Sequence, residues 1–250
     1  MNETMAGVEA VVFDLGGTCL ELDHPRIAEA VAARGPAPAA DWVGRAERAG
    51  RARLAEIVAK GGADSTNHGH WQAFLFAMLR EAGAAEADHP AIFEELRAFH
   101  VRHHLWNRVM PGIPETLRTL AGRGYRVAAL SNSDGRAEAL LSRLGLAHEF
   151  EFVVDSREVG VEKPDPRIFH GACARLGLPP SRCAYVGDVV PIDVHGARAA
   201  GLAPVLLDVY GANAAEDADG APRVAEPAQL LGLFPDRRDD VRRAARSARR

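Results

Sequence analysis

The chain has 250 residues, 47% hydrophobic and 26% charged, with a formal net charge of -4. That length suits one large domain, or a core carrying a smaller insertion, with enough apolar residues for a sizeable buried interior. The near-neutral balance excludes the strong single-sign field used to bind nucleic acid or a membrane surface, and no apolar run reaches the roughly 18–20 residues that span a bilayer. The three cysteines, Cys19, Cys173 and Cys183, are too scattered for a disulfide framework or a zinc site and read as small buried residues. Residues Met1 to Gly7 carry no signal-peptide pattern. A soluble, reduced, cytoplasmic protein is the expectation.

Short apolar runs recur along the chain, each closed by turn residues and followed by a helical pattern. Ala10 to Phe13 predicts a buried strand ending at Asp14, within D-L-G-G-T. From Glu21 to about Asn107 no strand is evident. Helices are predicted instead over Arg26–Ala33, Asp41–Lys60, Trp71–Ala82 and Ala91–Leu105, with a loop at Gly61–Gly69. Ile113–Arg123 predicts the next helix. Tyr125–Leu130 predicts a strand closing on Ser131, Asn132 and Ser133. Helix Ala137–Leu144 follows, then strand Phe150–Val154, helix Pro166–Leu176, strand Cys183–Val186, helix Asp193–Ala200 and strand Pro204–Leu207. Arg223–Leu233 reads as a final short strand and helix, and Arg237–Arg250 as a solvated basic tail.

Fully apolar short strands suit the middle of a parallel sheet. Their alternation with helices predicts an α/β protein, a doubly wound, Rossmann-like parallel sheet with an inserted α-helical module. The expected organisation is a core over residues 8–20 and 108–234, a helical cap over 21–107 and a basic tail over 235–250. In such sheets ligands bind beyond the carboxyl ends of the strands, where every polar cluster named above falls.

Four clusters stand there. Asp14 precedes two glycines, so its carboxylate can meet a ligand without steric cover, and the Gly17–Thr18 amides can bind phosphate oxygens. Ser131 and Asn132 offer hydroxyl and amide donors. Lys163, in E-K-P-D-P, could pair with both a carboxylate and a phosphate; with only Lys60 and Lys163 in the chain, it is an improbable surface filler. Asp188 and Asp193, in G-D-V-V-P-I-D, offer hard oxygen ligands suited to Mg²⁺. Taken singly, Asp14 also suits an ordinary glycine turn, Ser131 and Asn132 a helix cap or turn, and Asp188 and Asp193 a turn and a helix N-cap.

Taken together and in this order, they resemble the haloacid dehalogenase-like hydrolases with a helical cap after the first motif. The resemblance covers residues 8 to 234. It implies that Asp14 attacks phosphorus and forms an aspartyl-phosphate. It also implies that Asp14, the Gly16 carbonyl and Asp188 hold Mg²⁺, that Asp193 holds metal-bound waters or orients Lys163, and that Ser131 and Lys163 bind the transferring phosphoryl group. The implied substrate is a small phosphorylated metabolite.

One position departs from the pattern. The family's phosphatases usually carry Asp where this chain has Gly16, and that Asp protonates the leaving oxygen and then activates water. Such help is worth about 10²- to 10⁴-fold. Four readings stay open: a phosphatase suited to good leaving groups; a proton donor from the inserted helices, where His68, His70, His100, His103 and His104 lie with His24 at the entrance; phosphonate cleavage through Lys60, the one lysine of that module; or a phospho-ligand or partner-binding protein without turnover. Trp42, Trp71, Phe74, Phe76 and Trp106 have the spacing of core packing.

Overall fold

The computed structural model describes residues 5, 7–60, 68–213 and 218–238, with the backbone alone at residue 68. Most of the predicted Gly61–Gly69 loop, the first residues of the chain and the tail beyond residue 238 lie outside the described residues.

Chain order is β1 (Ala10–Phe13), β2 (Leu20–Glu21), α1 (His24–Ala32), α2 (Trp42–Ala59), α3 (His68–Glu81), α4 (His89–His103), β3 (Arg108–Val109), α5 (Ile113–Gly122), β4 (Arg126–Ser131), α6 (Ala137–Arg143), β5 (Val153–Asp155), α7 (Ser156–Val159), α8 (Pro166–Leu176), β6 (Cys183–Gly187), α9 (His195–Ala199), β7 (Ala203–Leu207) and β8 (Arg223–Val224). Short 3₁₀ turns join several of them. Six strands form one parallel sheet in the order β5-β4-β1-β6-β7-β8. The chain thus builds outward from β1 on one side, then returns to build on the other.

Strand period explains the layers. Val11 and Phe13 of β1 face a core shared with Leu117 and Leu120 of α5 and Leu141 of α6. Ala10 and Val12 face the opposite core, with Phe169 and Cys173 of α8 and Ala197 of α9. Both faces are covered, as a parallel sheet requires. Helices α1 to α4 bury a third core of their own, around Ile27, Phe74, Met78 and Phe93. Among the described residues, no helix is long and apolar enough to cross a membrane.

Two readings need correction. Glu21 falls in a two-stranded antiparallel ribbon, Leu20–Glu21 against Arg108–Val109, at the two ends of the helical insertion. Two-residue strands carry no periodic signal. The predicted helix Asp193–Ala200 is a wide π-type turn at Val190–Val194 followed by α9. The cause is Asp193, whose Oδ2 accepts from the amides of Asp188 (3.0 Å) and Val189 (2.9 Å) and so is held back toward β6.

Register sets the site. Phe13 pairs with Ala129 on one side and Val186 on the other, so Asp14, Ser131 and Asp188 emerge side by side at the carboxyl edge. Phe169 is fully buried and meets Tyr185 edge-on, with ring centroids 5.0 Å apart. Phe169→Ala is expected to cost about 3–5 kcal/mol of stability, read by urea denaturation with an unchanged m-value.

Candidate functional site

Lys163 is the hub. Its three N–H donors reach Asp14 Oδ1 (2.6 Å), Asp193 Oδ1 (2.7 Å) and Tyr185 Oη (2.8 Å), which satisfies the ammonium completely. Tyr185 in turn donates to the Leu130 carbonyl at 3.1 Å. The Asn132 side chain clamps the Lys163 backbone from both sides: its Oδ1 accepts from the Lys163 amide (2.8 Å) and its Nδ2 donates to the Lys163 carbonyl (3.0 Å). Asn132 thereby positions the lysine. Ser131 lines the cavity, and its hydroxyl has only a long 3.5 Å contact to the Asn132 carbonyl.

Asp14 Oδ2 accepts no hydrogen bond among the described residues, and Asp14 lines the same cavity. The turn that follows it is closed internally. The Gly17 amide donates to the Leu20 carbonyl (2.7 Å) and the Thr18 amide to the Leu15 carbonyl (3.3 Å). The expectation that these two amides bind phosphate thus meets an obstacle, since both are spent on the turn. The Thr18 hydroxyl donates to Asp188 Oδ1 at 3.3 Å. The amides left without a protein acceptor among the described residues are those of Leu15 and Gly16, both at the cavity wall.

Asp188 has an unforeseen partner. Arg51 of α2 donates from Nε to Asp188 Oδ2 at 2.6 Å and pairs through Nη1 with Glu47. Glu47 also meets His24 Nε2 at 2.5 Å. The arginine lies over the Tyr210 ring, 5.1 Å from its centroid. Gly17 explains the closeness: its φ is +91°, and a Cβ there would collide with the Asp188 carboxylate and the Arg51 guanidinium. Gly187 is equally constrained, since a Cβ would enter the Asp193 carboxylate.

Asp14, Asp188, Asp193 and Lys163 are 5%, 4%, 2% and 3% exposed. Three buried carboxylates thus face two cations, Lys163 and Arg51. Burial, joined by the neighbouring carboxylates, outweighs Lys163 and pushes the Asp14 carboxyl up to about 7. Burial likewise pushes Asp188 up to about 6, against the pull of Arg51. Lys163 is driven above its ordinary range because the attraction of Asp14 and Asp193 exceeds the cost of burial. Oxygens of Asp14, Asp188 and Asp193 lie within 4.8 Å of one another. A hard-oxygen set with surplus negative charge fits a divalent cation.

The helical insertion roofs the site with a cavity of about 230 Å³. All five aromatics expected in the core pack in or against the core of the helical layer, and Trp71, Phe74 and Trp106 line the cavity as well. Trp106 lies over Gly16: a Cβ at position 16 would sit 3.4 Å from its Cδ1 and Nε1. Of the candidate histidines, His70, His100 and His104 reach the cavity. His24 is held by Glu47, His103 packs on Phe99 (centroids 5.0 Å apart), and neither lines the cavity. The His68 side chain lies outside the described residues. Lys60 is exposed at the end of α2 and away from the cavity lining, so phosphonate cleavage through it finds no support.

The family model for haloacid dehalogenase-like hydrolases matches residues 8–201. The chain is 34% identical over 203 residues to haloacid dehalogenase-like hydrolase domain-containing protein 3 of Bos taurus, covering 79% of this chain and 80% of that one. It is 39% identical over 132 residues to the phosphoserine phosphatase of Thermus thermophilus, spanning 52% of this chain and 51% of the relative. A solved hydrolase of the same family from Deinococcus radiodurans, with bound phosphate and sodium, superposes with a TM-score of 0.61 at 26% identity, covering 91% of this chain and 96% of that one.

Both raised carboxyls favour their protonated forms in the folded chain. Their contribution to stability is therefore whole below the unfolded value of 3.8 and is lost as pH rises through about 6 to 7. A divalent cation opposes that loss by favouring the ionised forms. The Tm rise on adding millimolar Mg²⁺ is thus expected to be small at about pH 5 and larger at about pH 8. Scanning fluorimetry checks this, and Asp188→Asn should flatten the dependence.

Proposed function

Because the chain belongs to the haloacid dehalogenase-like hydrolases, we propose that it is a Mg²⁺-dependent phosphatase of a small phosphorylated metabolite, working through an aspartyl-phosphate at Asp14 without an acid at position 16. The observation that carries this reading is the Lys163 ammonium held between Asp14 and Asp193 at the cavity lining, with Asp14 Oδ2 accepting no hydrogen bond among the described residues.

Asp14 Oδ2 attacks phosphorus in line. The bond from phosphorus to the ester oxygen breaks, and its electron pair leaves with that oxygen. Water then attacks the same phosphorus, the acyl–phosphate bond breaks, and the Asp14 carboxylate and inorganic phosphate are released. Lys163 lowers the repulsion between the Asp14 carboxylate and the incoming dianion. The Ser131 hydroxyl and the open amides of Leu15 and Gly16 supply donors for the phosphoryl oxygens. Asn132 acts through Lys163 by holding its backbone, and Gly17 and Thr18 act by closing the turn and bonding Asp188.

Asp14, Asp188 and the Gly16 carbonyl would hold the cation, and when bound it would neutralise charge on the transferring phosphoryl group. Asp193 would keep Lys163 and the Asp188 and Val189 amides in place. Residues 21–107 would form the cap of a core comprising 8–20 and 108–234. The phosphatase name of the Thermus thermophilus relative supports the reaction class.

Gly16 leaves the water step without a carboxylate base. For an activated ester, formation of the aspartyl-phosphate then outruns its hydrolysis. Acid quenching during turnover of 4-nitrophenyl phosphate with Mg²⁺ is expected to trap one phosphoryl group on the Asp14 peptide, labile to hydroxylamine. A burst of nitrophenol of about one per chain should accompany it, and Asp14→Asn should show neither. A phosphoryl group trapped elsewhere would sink the assignment.

A further inference from the structure

The roof of the cavity specifies what leaves. Trp71, Phe74 and Trp106 form one wall: Phe74 stacks with Trp106 at 29° and 6.3 Å, and Trp71 lies 6.4 Å from Trp106. Leu54 and Leu140 extend the apolar lining. The edge of Trp106 stands over Gly16, where the departing oxygen would otherwise meet an acid.

The polar groups of the same roof are committed. His100 Nδ1 accepts the Leu105 amide at 3.1 Å, so its proton sits on Nε2, which faces Asp134 at 3.3 Å. Asp134 is also bound through both oxygens by Arg136. His104 is kept neutral, pushed down to about 3 by burial and by His100. Arg51 is held by Glu47 and Asp188, and Lys163 by Asp14 and Asp193. Among the described residues lining the cavity, no cation is left over for a second anionic group. Two imidazole nitrogens of this lining are buried without a hydrogen-bond partner, His70 Nδ1 and His104 Nδ1, and of the two rings His104 is already held neutral.

We propose that the leaving group is an uncharged, planar aromatic alcohol of low pKa, an aryl phosphate being the substrate class, seated against Trp71, Phe74 and Trp106. This rests on the phosphatase reading above. A phenol-type oxygen carries its electron pair away as phenolate, so the step balances without a proton. The aromatic wall then supplies affinity at the place where an acid would have supplied rate. A serine or glycolate leaving group, by contrast, brings a poor leaving oxygen together with a carboxylate that has no free cation to meet it.

The test is a series of ring-substituted phenyl phosphates, with phosphoserine, glycerol phosphate and acetyl phosphate beside them, on the full chain with Mg²⁺. For the wild type, kcat/KM is expected to fall several-fold per unit of leaving-group pKa while kcat stays common to the series, since hydrolysis of the shared intermediate limits it. Aryl phosphates should exceed phosphoserine by at least about 10². Trp71→Ala should raise KM for aryl phosphates by about two- to tenfold more than for acetyl phosphate, and Trp71→Phe should recover part of that.

A flat kcat/KM series, or phosphoserine equal to the aryl esters, overturns the substrate class and leaves the phosphatase reading standing. A flat series that steepens in His70→Gln overturns it too, by assigning the acid to His70. Turnover of none of these compounds above the Asp14→Asn background overturns both.

Discussion

The structure is organised around a surplus of buried negative charge. Asp14, Asp188 and Asp193 converge where water is excluded, and two unit charges about 4 Å apart repel by about 4 kcal/mol even at an effective dielectric of 20. No fold keeps three such groups together without answering that cost. Lys163 answers it twice, through Asp14 and Asp193, and Arg51 answers it at Asp188. The backbone is shaped to let these groups meet: Gly17 and Gly187 stand where any Cβ would enter the carboxylates. The charge is still not balanced, and the remainder is the physical reason a carboxyl of this floor holds its proton more tightly than usual, and the reason the floor suits a divalent cation.

Arg51 makes the helical layer part of that balance. It reaches from α2 to a carboxylate of the sheet edge, and Glu47 and His24 stand behind it. Both oxygens of Asp188 are thereby occupied, one by Thr18 and one by Arg51. A cation taking Asp188 as a ligand would share that carboxylate with the arginine. Arg51 thereby ties the helical layer to a carboxylate of the sheet edge.

The sequence made the sheet readable because its strands are short, apolar and closed by turn residues, and because a polar cluster ends each one. Asp14, Ser131, Lys163, Asp188 and Asp193 could be singled out for that reason, and the structure gathers them at one edge. Arg51 could not be. It is one arginine among many in an Ala- and Arg-rich helix, and only the fold brings it to a residue 137 positions away. The acceptors of the Gly17 and Thr18 amides and the clamp of Asn132 on Lys163 were not legible for the same lack of geometry: an amide donor looks available until its acceptor is known. The Leu20–Glu21 and Arg108–Val109 ribbon escaped because two residues cannot show a period. Trp71, Phe74 and Trp106 have helical spacing whether they face a core or a cavity, and periodicity alone does not separate the two.

Gly16 and Trp106 belong to one choice. A Cβ at position 16 would meet the indole at 3.4 Å, an ordinary van der Waals contact, so any side chain there would lie beside Trp106. An enzyme that protonates a poor leaving group needs that space polar and open. One that releases a stable phenolate loses little by giving up the acid, because the 10²- to 10⁴-fold it supplies, by order of magnitude, is gained mainly with basic leaving groups. It gains stacking surface in return, at about 0.5–1.5 kcal/mol per aromatic pair. With an aryl phosphate as substrate, the missing side chain at position 16 would leave the departing oxygen beside Trp106 and cost little rate, because that oxygen needs no acid.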